Sequence, residues 1–286
     1  MASDRTGQVI ADQYTLDALI ARGGQSEVYR ARRRSDETEV AIKVLSDPLA
    51  ADAQFRERML REAQAMANLT GTAAVRLLDQ CWTNDGVLCL VMELLRGTDL
   101  EHHLEALEAR GQRADPQWLL TLLRPIVETL EIAHSQGIVH RDLKPANVFV
   151  VDPAAGGGVR LLDFGFAKFA RLPGVTEVGF VAGSPSYIPP ESWRGNSAAI
   201  DRRADVYSLG AVIFRTLGGQ PPFAAPELVD LLQLVTTAPR PSLVTLRPDL
   251  PAPLDEWVWS ALAIEPESRF QSVTALLDAL VNTLSG

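Results

Sequence analysis

Apolar and polar residues alternate at Tyr14, Leu16, Ala18 and Ile20, a pattern that predicts a half-buried strand. The chain then turns through Ala21-Arg22-Gly23-Gly24-Gln25-Ser26-Glu27-Val28-Tyr29 into a second strand, with glycines at the tip of the hairpin. Val40-Ala41-Ile42-Lys43 is a further apolar strand that ends on a lysine. From Asp52 to Leu69 the period lengthens to that of a helix, with Phe55, Met59, Met66 and Leu69 as its apolar stripe. Glu62 falls on that stripe, whereas Glu57 lies about 200° of helical rotation from Met59 and points elsewhere. Strand-like spacing returns at Val75, Leu77 and Leu78, and again in Val87-Leu88-Cys89-Leu90-Val91-Met92 after Gly86. Beyond this the period is mostly helical. Leu119, Leu122, Leu123, Ile126, Val127, Leu130 and Ala133 predict an amphipathic helix from Trp118 to Gln136, with Pro125 as an expected kink and His134 as a core or cap residue. Asp152 to Gly158 reads as a hairpin turn, and Phe166 to Ala182 as a long loop without periodicity. The stretch Asp205-Val206-Tyr207-Ser208-Leu209-Gly210 opens a helix that stays apolar nearly all round to Leu217, so it belongs in the middle of its domain. Helices over Pro226–Val235, Leu254–Ala263 and Ser272–Leu284 complete an α+β pattern, strands first and helices after.

Composition narrows the setting. A chain of 286 residues with 47% hydrophobic content can fill one large domain or two lobes sharing an interface. Its net charge of −9 argues against nucleic acid as a partner, which needs a basic footprint. Cys81 and Cys89 are too few for a disulfide framework and suit a reducing cytosol. Met1 to Asp12 has no apolar core of the signal-peptide kind, and no run of about eighteen apolar residues occurs, so membrane insertion by this chain is not expected. A cytoplasmic protein, or the cytosolic domain of a longer one, is the expectation, and a homodimer stays open.

The candidate chemistry concentrates in His140-Arg141-Asp142-Leu143-Lys144-Pro145-Ala146-Asn147. Here an acid can accept a hydroxyl proton, a lysine can hold a phosphate and an asparagine can ligate a metal. Ile138-Val139 and Val148-Phe149-Val150-Val151 fence the stretch, which suits groups that must be held within a fraction of an ångström. After the apolar run Val159 to Leu162, Asp163-Phe164-Gly165 offers a second metal-binding carboxylate. In this order and spacing the two stretches resemble the catalytic and metal-binding loops of eukaryotic-like protein kinases, in particular the bacterial serine/threonine type. Val40-Ala41-Ile42-Lys43 is similar to the motif of that family's phosphate-holding lysine, and Glu62 follows at the family's distance. The glycine loop resembles G-x-G-x-x-G-x-V less closely: Gly23 matches, while Ala21 and Ser26 replace the first and third glycines. Gly183-Ser184-Pro185-Ser186-Tyr187-Ile188-Pro189-Pro190-Glu191 is similar to G-[TS]-P-x-Y-x-A-P-E, with Pro189 in place of alanine. The resemblance runs from about Tyr14 to Leu284.

It implies a bilobal protein-kinase fold. A small, mainly antiparallel β N-lobe with one key helix would occupy about 1–93, a hinge about 93–97, and a larger, mainly helical C-lobe about 98–286. The implied reaction moves the γ-phosphate of ATP to serine or threonine hydroxyls of protein substrates, the kinase itself included, with Mg²⁺ and, as an alternative, Mn²⁺. Asp142 would accept the hydroxyl proton, Lys144 would steady the γ-phosphate, and Asn147 and Asp163 would hold metal. Lys43, fixed by Glu62, would hold the α- and β-phosphates. Ala21, Gly23, Gly24 and Ser26 would line the phosphate loop. Val28 and Ala41 would roof the adenine, Phe149 would floor it, Met92 takes the gatekeeper position, and the backbones of Glu93 and Leu95 would bond to the base. Asp99 either contacts the ribose or caps a helix. Arg141, with Lys168, is the implied receiver for a phosphate on Thr176. Ser184 and Lys144 would shape a shallow acceptor site for serine or threonine. Glu191 and Arg269 are an implied structural ion pair, and Asp205 would tie down the backbone of the catalytic loop. Two other functions stay open: a pseudokinase binding or scaffold module, supported by the substituted glycine loop, and a small-molecule phosphotransferase.

Overall fold

Alternating apolar and charged positions build the first of two units, Met1–Arg96, around one antiparallel sheet. The computed structural model describes residues 4–23, 26–45, 53–164, 185–194 and 200–285, without the side chains of residues 54–56, 58, 62 and 194. The strands are β1 (Val9–Ile10), β2 (Tyr14–Arg22), β3 (Ser26–Arg33), β4 (Glu39–Leu45), β5 (Leu77–Trp82) and β6 (Leu88–Glu93), and they lie in the order β1-β2-β3-β4-β6-β5. Helix α1 (Ala53–Asn68) falls between β4 and β5 in sequence and packs against β5 and β6. Its expected stripe is the buried one at Met59, Met66 and Leu69. Register pairs Tyr29 with Ile42 and Ile42 with Val91, so these residues share one face of the sheet, and each is fully buried.

Strand β2 departs from its sequence pattern. The alternation predicts Ile20 inward, yet Ile20 is 51% exposed and Leu19 packs on the core instead. Register shifts between Leu16 and Ala18 and between Leu19 and Ala21 are the cause. Each bulge adds a residue to one strand and turns the side chains beyond it to the other face.

The second unit, Gly97–Gly286, opens with β7 (Gly97–Asp99), which pairs with β8 (Val148–Val151); β8 in turn pairs with β9 (Val159–Leu161). Gly97 sits at φ +144°, and a Cβ there would lie 2.1 Å from the Val150 carbonyl oxygen, so the contact of β7 with β8 requires glycine. The helices are α2 (Leu100–Glu108), α3 (Pro116–Ser135), α4 (Arg203–Gly218), α5 (Leu228–Thr237), α6 (Leu243–Leu246), α7 (Leu254–Ala261) and α8 (Val273–Ser285). Every residue of α4 from Ala204 to Gly218 is buried, and α3, α6, α7 and α8 all pack on it, as its all-round apolar pattern requires. Asp115 caps α3 by accepting from the Gln117 amide, with Pro116 in the first turn. The helix then continues unbroken through Pro125, whose carbonyl accepts from Thr129 Oγ1 at 2.7 Å. Helix α5 begins two residues later than its pattern suggested, because Glu227 is extended and takes the capping position. The short elements β1 and α6 carry too few periodic positions to be read from sequence. Among the described residues no helix is long and apolar enough to cross a membrane. The loop expected at 166–182, with Lys168 and Thr176, and the residues Gly24 and Ser184 lie outside the described residues.

Candidate active site

The loop from His140 to Asn147 connects α3 to β8 and is held by partners far away in sequence. Asp205, at the start of α4 and fully buried, accepts from the amide of His140 through Oδ2 and from that of Arg141 through Oδ1, both at 2.8 Å. His134 Nε2, from the last turn of α3, meets the same Oδ2 at 2.7 Å. One carboxylate thereby holds two consecutive amides and the end of a helix. The grip accompanies a left-handed backbone at Arg141, φ +64°, which costs a non-glycine residue about 1–2 kcal/mol. His140, fully buried, lies beside Phe164 at a ring distance of 4.6 Å. Its Nε2 lies 3.1 Å from the Leu162 carbonyl, and its Nδ1 accepts from the Asp142 amide at 3.3 Å. Burial lowers the pKa of His140, and the neutral ring matches its use of one nitrogen as donor and the other as acceptor.

Asp142 is thus fixed by its backbone, and its side chain meets Asn147 and Lys144 among the described residues. Asn147 Nδ2 donates to Asp142 Oδ2 at 2.7 Å and to the Asp142 carbonyl at 2.8 Å, while Lys144 Nζ stands 3.3 Å from the same Oδ2. A carboxylate flanked by an amide donor and an ammonium is held in one orientation, as a proton acceptor must be. Because Asn147 uses its nitrogen on Asp142, its Oδ1 is the atom left for a cation. Leu162 N donates to the Asn147 carbonyl at 2.9 Å, and Asp163 follows at φ +48°, a second strained residue. An amide oxygen and a carboxylate are ligand types that suit a hard cation, and the Leu162–Asn147 bond brings the backbones that carry them together. Among the described residues no cluster of three or more His, Cys, Asp or Glu forms a closed metal cage.

In the first unit, sheet register gathers the other candidates. Val28 pairs with Lys43, and Ala41 pairs with Met92; since Lys43 and Ala41 are two apart, all four lie on one face. Lys43 is buried. Glu62 lies on α1, its side chain outside the description, while Glu57 faces solvent in a pair with Arg61 at 2.6 Å. Ala21 pairs with Val28 and Ser26 opens β3, with Gly23 N donating to the Ser26 carbonyl at 2.8 Å. The Glu93 amide is spent on the Arg76 carbonyl at 3.0 Å, so any backbone bond to a base from Glu93 falls on its carbonyl; Leu95 follows β6 in irregular chain. In the second unit Asp99 caps α2, accepting from the His102 amide at 3.0 Å, and pairs across β7–β8 with Phe149. Glu191 receives two bonds from Arg269, at 2.7 and 2.6 Å, and the same guanidinium donates to the carbonyls of Ala263, Arg203 and Ile264.

The protein kinase domain pattern matches residues 14–278. The chain belongs to that family. It is a eukaryotic-like kinase domain of the bacterial serine/threonine type. The probable serine/threonine-protein kinase PknB of Corynebacterium glutamicum is 36% identical over 277 residues, 94% of this chain and 42% of that protein. The serine/threonine-protein kinase PknB of Mycobacterium tuberculosis is 36% identical over 283 residues, 97% of this chain and 44% of that protein. The crystal structure of the M. tuberculosis PknI kinase domain aligns over 99% of this chain and all of its own, with a TM-score of 0.77 and 28% identity. The chain spans less than half the length of these two curated PknB relatives.

Sequence reading left some supports of this kinase domain without a role. His140 lies in the central motif and His134 in the last turn of an amphipathic helix, and spacing shows the partner of neither; in the fold the His134 side chain is only 2% exposed. Arg215, buried within α4, binds Glu101 and Glu108 of α2, with Nη2 to Glu101 at 2.8 Å. Tyr187 adjoins this cluster: its hydroxyl pKa is raised by burial first and by Glu101 second, and its carbonyl accepts from Ser208 Oγ at 2.8 Å. The signal for Arg215 was a lone cation in an apolar helix, which has to find buried partners.

Proposed function

We propose that this kinase domain transfers the γ-phosphate of ATP to serine and threonine hydroxyls of protein substrates, its own among them. The observation that carries the proposal is Asp142 held between Asn147 and Lys144 on a loop clamped by Asp205. In such a transfer the γ-phosphoryl group passes through a loose transition state, so the protein's work is positioning and charge neutralisation. Asp142 orients the incoming hydroxyl and accepts its proton. Lys144 places positive charge beside the transferred group. Lys43, paired with Glu62, holds the α- and β-phosphates, and Ala21, Gly23, Gly24 and Ser26 cover them. Val28, Ala41 and Met92 contact the adenine, with the Glu93 and Leu95 backbones as its hydrogen-bonding edge, and Phe149 is assigned to the same base. Asn147 and Asp163 would hold a divalent cation, magnesium with manganese as a substitute, which would supply charge neutralisation. The test is incubation of purified chain with ATP and magnesium, with manganese in parallel, followed by mass-spectrometric mapping of phosphorylated residues in itself and in a peptide library. Phosphoserine and phosphothreonine are expected. Nucleotide binding without transfer would make the chain a pseudokinase, and transfer only to small metabolites would make it a small-molecule phosphotransferase.

A further inference from the structure

The chain contains two cysteines, Cys81 and Cys89, and both stand outside the site described above. They are register partners: Cys81 on β5 lies directly opposite Cys89 on β6, between the pairs Gln80–Leu90 and Trp82–Leu88. Directly opposed residues on antiparallel strands put their side chains on the same face, with Cα atoms roughly 4.5–5.5 Å apart. A disulfide spans about 4.4–6.8 Å between Cα atoms, a range that includes the spacing of directly opposed strand residues. The register irregularity of β5 is confined to Leu77 and Asp79. Beyond the cysteines, Thr83 N donates to the Val87 carbonyl at 2.8 Å and closes the hairpin. Both thiols are buried, Cys89 completely, while Cys81 keeps 8% of its surface open.

We infer that Cys81 and Cys89 form an oxidation site for small peroxides, in which a two-electron oxidant converts the facing thiols into a disulfide that staples β5 to β6. The two sulfurs are not equivalent. The Cys89 thiol donates to the Val87 carbonyl at 3.7 Å; the proximity of Cys81, with burial, pushes the pKa of Cys89 up, while the proximity of Cys89 lowers that of Cys81. Cys81, the more accessible and the readier to ionise, is therefore the attacking sulfur, and Cys89 resolves. The Cys81 sulfur attacks one oxygen of hydrogen peroxide, the O–O bond breaks, and a sulfenic acid and water result. The Cys89 sulfur then attacks the Cys81 sulfur, the S–O bond breaks, and hydroxide leaves and takes up the thiol proton as a second water. Two thiols and one peroxide give one disulfide and two waters. The inference does not depend on the phosphoryl-transfer reading.

The probe is hydrogen peroxide in modest excess over folded, reductant-free protein. The expected result is an intact mass lower by two hydrogens and a linked pair of peptides containing Cys81 and Cys89. The thermal midpoint should rise by roughly 3–6 °C and return on addition of dithiothreitol. In Cys89→Ala the link is lost and Cys81 is captured by a sulfenic-acid reagent such as dimedone, whereas Cys81→Ser gives neither product. Three results would overturn the inference: both thiols still titratable in the folded protein after peroxide, oxidation to sulfinic acid without a link, or a link that forms only in urea. Because wild type is compared folded and unfolded, the test stands even if a variant fails to fold.

Discussion

Asp142 reacts in the proposed mechanism, and the described groups that aim it come from residues that do not. Asn147 and Lys144 meet its carboxylate, and His140 takes its amide. Asp142→Asn should therefore fold and bind nucleotide as before while turnover falls roughly 10²- to 10⁴-fold, about 3–5 kcal/mol of barrier. Steady-state kinetics with circular dichroism as the fold control measures this, and near-normal turnover would remove Asp142 from the assigned role. His140 gives a pH prediction. Burial lowers its pKa in the folded state, so the unfolded chain binds the proton more readily. Stability linked to His140 is then complete above its unfolded pKa of about 6.5 and declines as pH falls below that value. Thermal melts from about pH 7 to about pH 5 should show a drop in midpoint that is smaller in His140→Phe than in the parent. Equal slopes in the two proteins would assign the acid sensitivity to other groups. The histidine was visible in the motif; its need for a neutral ring was not, because that comes from Leu162 and Phe164 packed around it.

The element that governs the loop is α4, through the single carboxylate of Asp205. Removing it in Asp205→Ala takes the acceptor from the buried His140 amide and the half-buried Arg141 amide, each loss costing about 1–3 kcal/mol, and frees Arg141 to leave its strained backbone. Chemical denaturation should register a loss of about 2–5 kcal/mol, with turnover falling at least tenfold because Asp142 loses its anchor. Asp205→Asn, which keeps one acceptor oxygen, should lose less; a harmless Asp205→Ala would mean that the loop holds itself. The period of the apolar residues was enough to place α4 at the centre of its unit, since no face of it is polar. It was not enough for β2, where bulges exchanged Leu19 for Ile20. A bulge is decided by how two backbones pair, and side-chain alternation on one strand carries no trace of that choice.

For the molecule as a whole, the expected control point is Thr176, with Arg141 and Lys168 as the basic pocket for a phosphate on it. Such a phosphate adds close to two negative charges and several charge-assisted hydrogen bonds. Active protein should carry phosphate on Thr176, and Thr176→Ala should reduce turnover at least tenfold by weakening the order around Asp142. Peptide mapping and kinetics of that variant check both parts; full activity with no phosphate on the loop would show that the domain switches on by another route.

Sequence by itself determined the longer periodic elements and the order of the chemistry. The helical and strand periods, the run from His140 to Asn147, Asp163 after its apolar strand and Lys43 at the end of another are all local patterns. They survive because a side chain's place on a helix or strand depends on neighbours a few residues away. Tertiary structure alone decided which distant groups meet. Arg215 against Glu101 and Glu108, His134 against Asp205, and Cys81 opposite Cys89 leave no mark in spacing. In each case burial is the reason. Once water is removed, a charge or a donor must find its partner wherever the packed core puts one, and sheet register, set by backbone pairing, decides which side chains face each other.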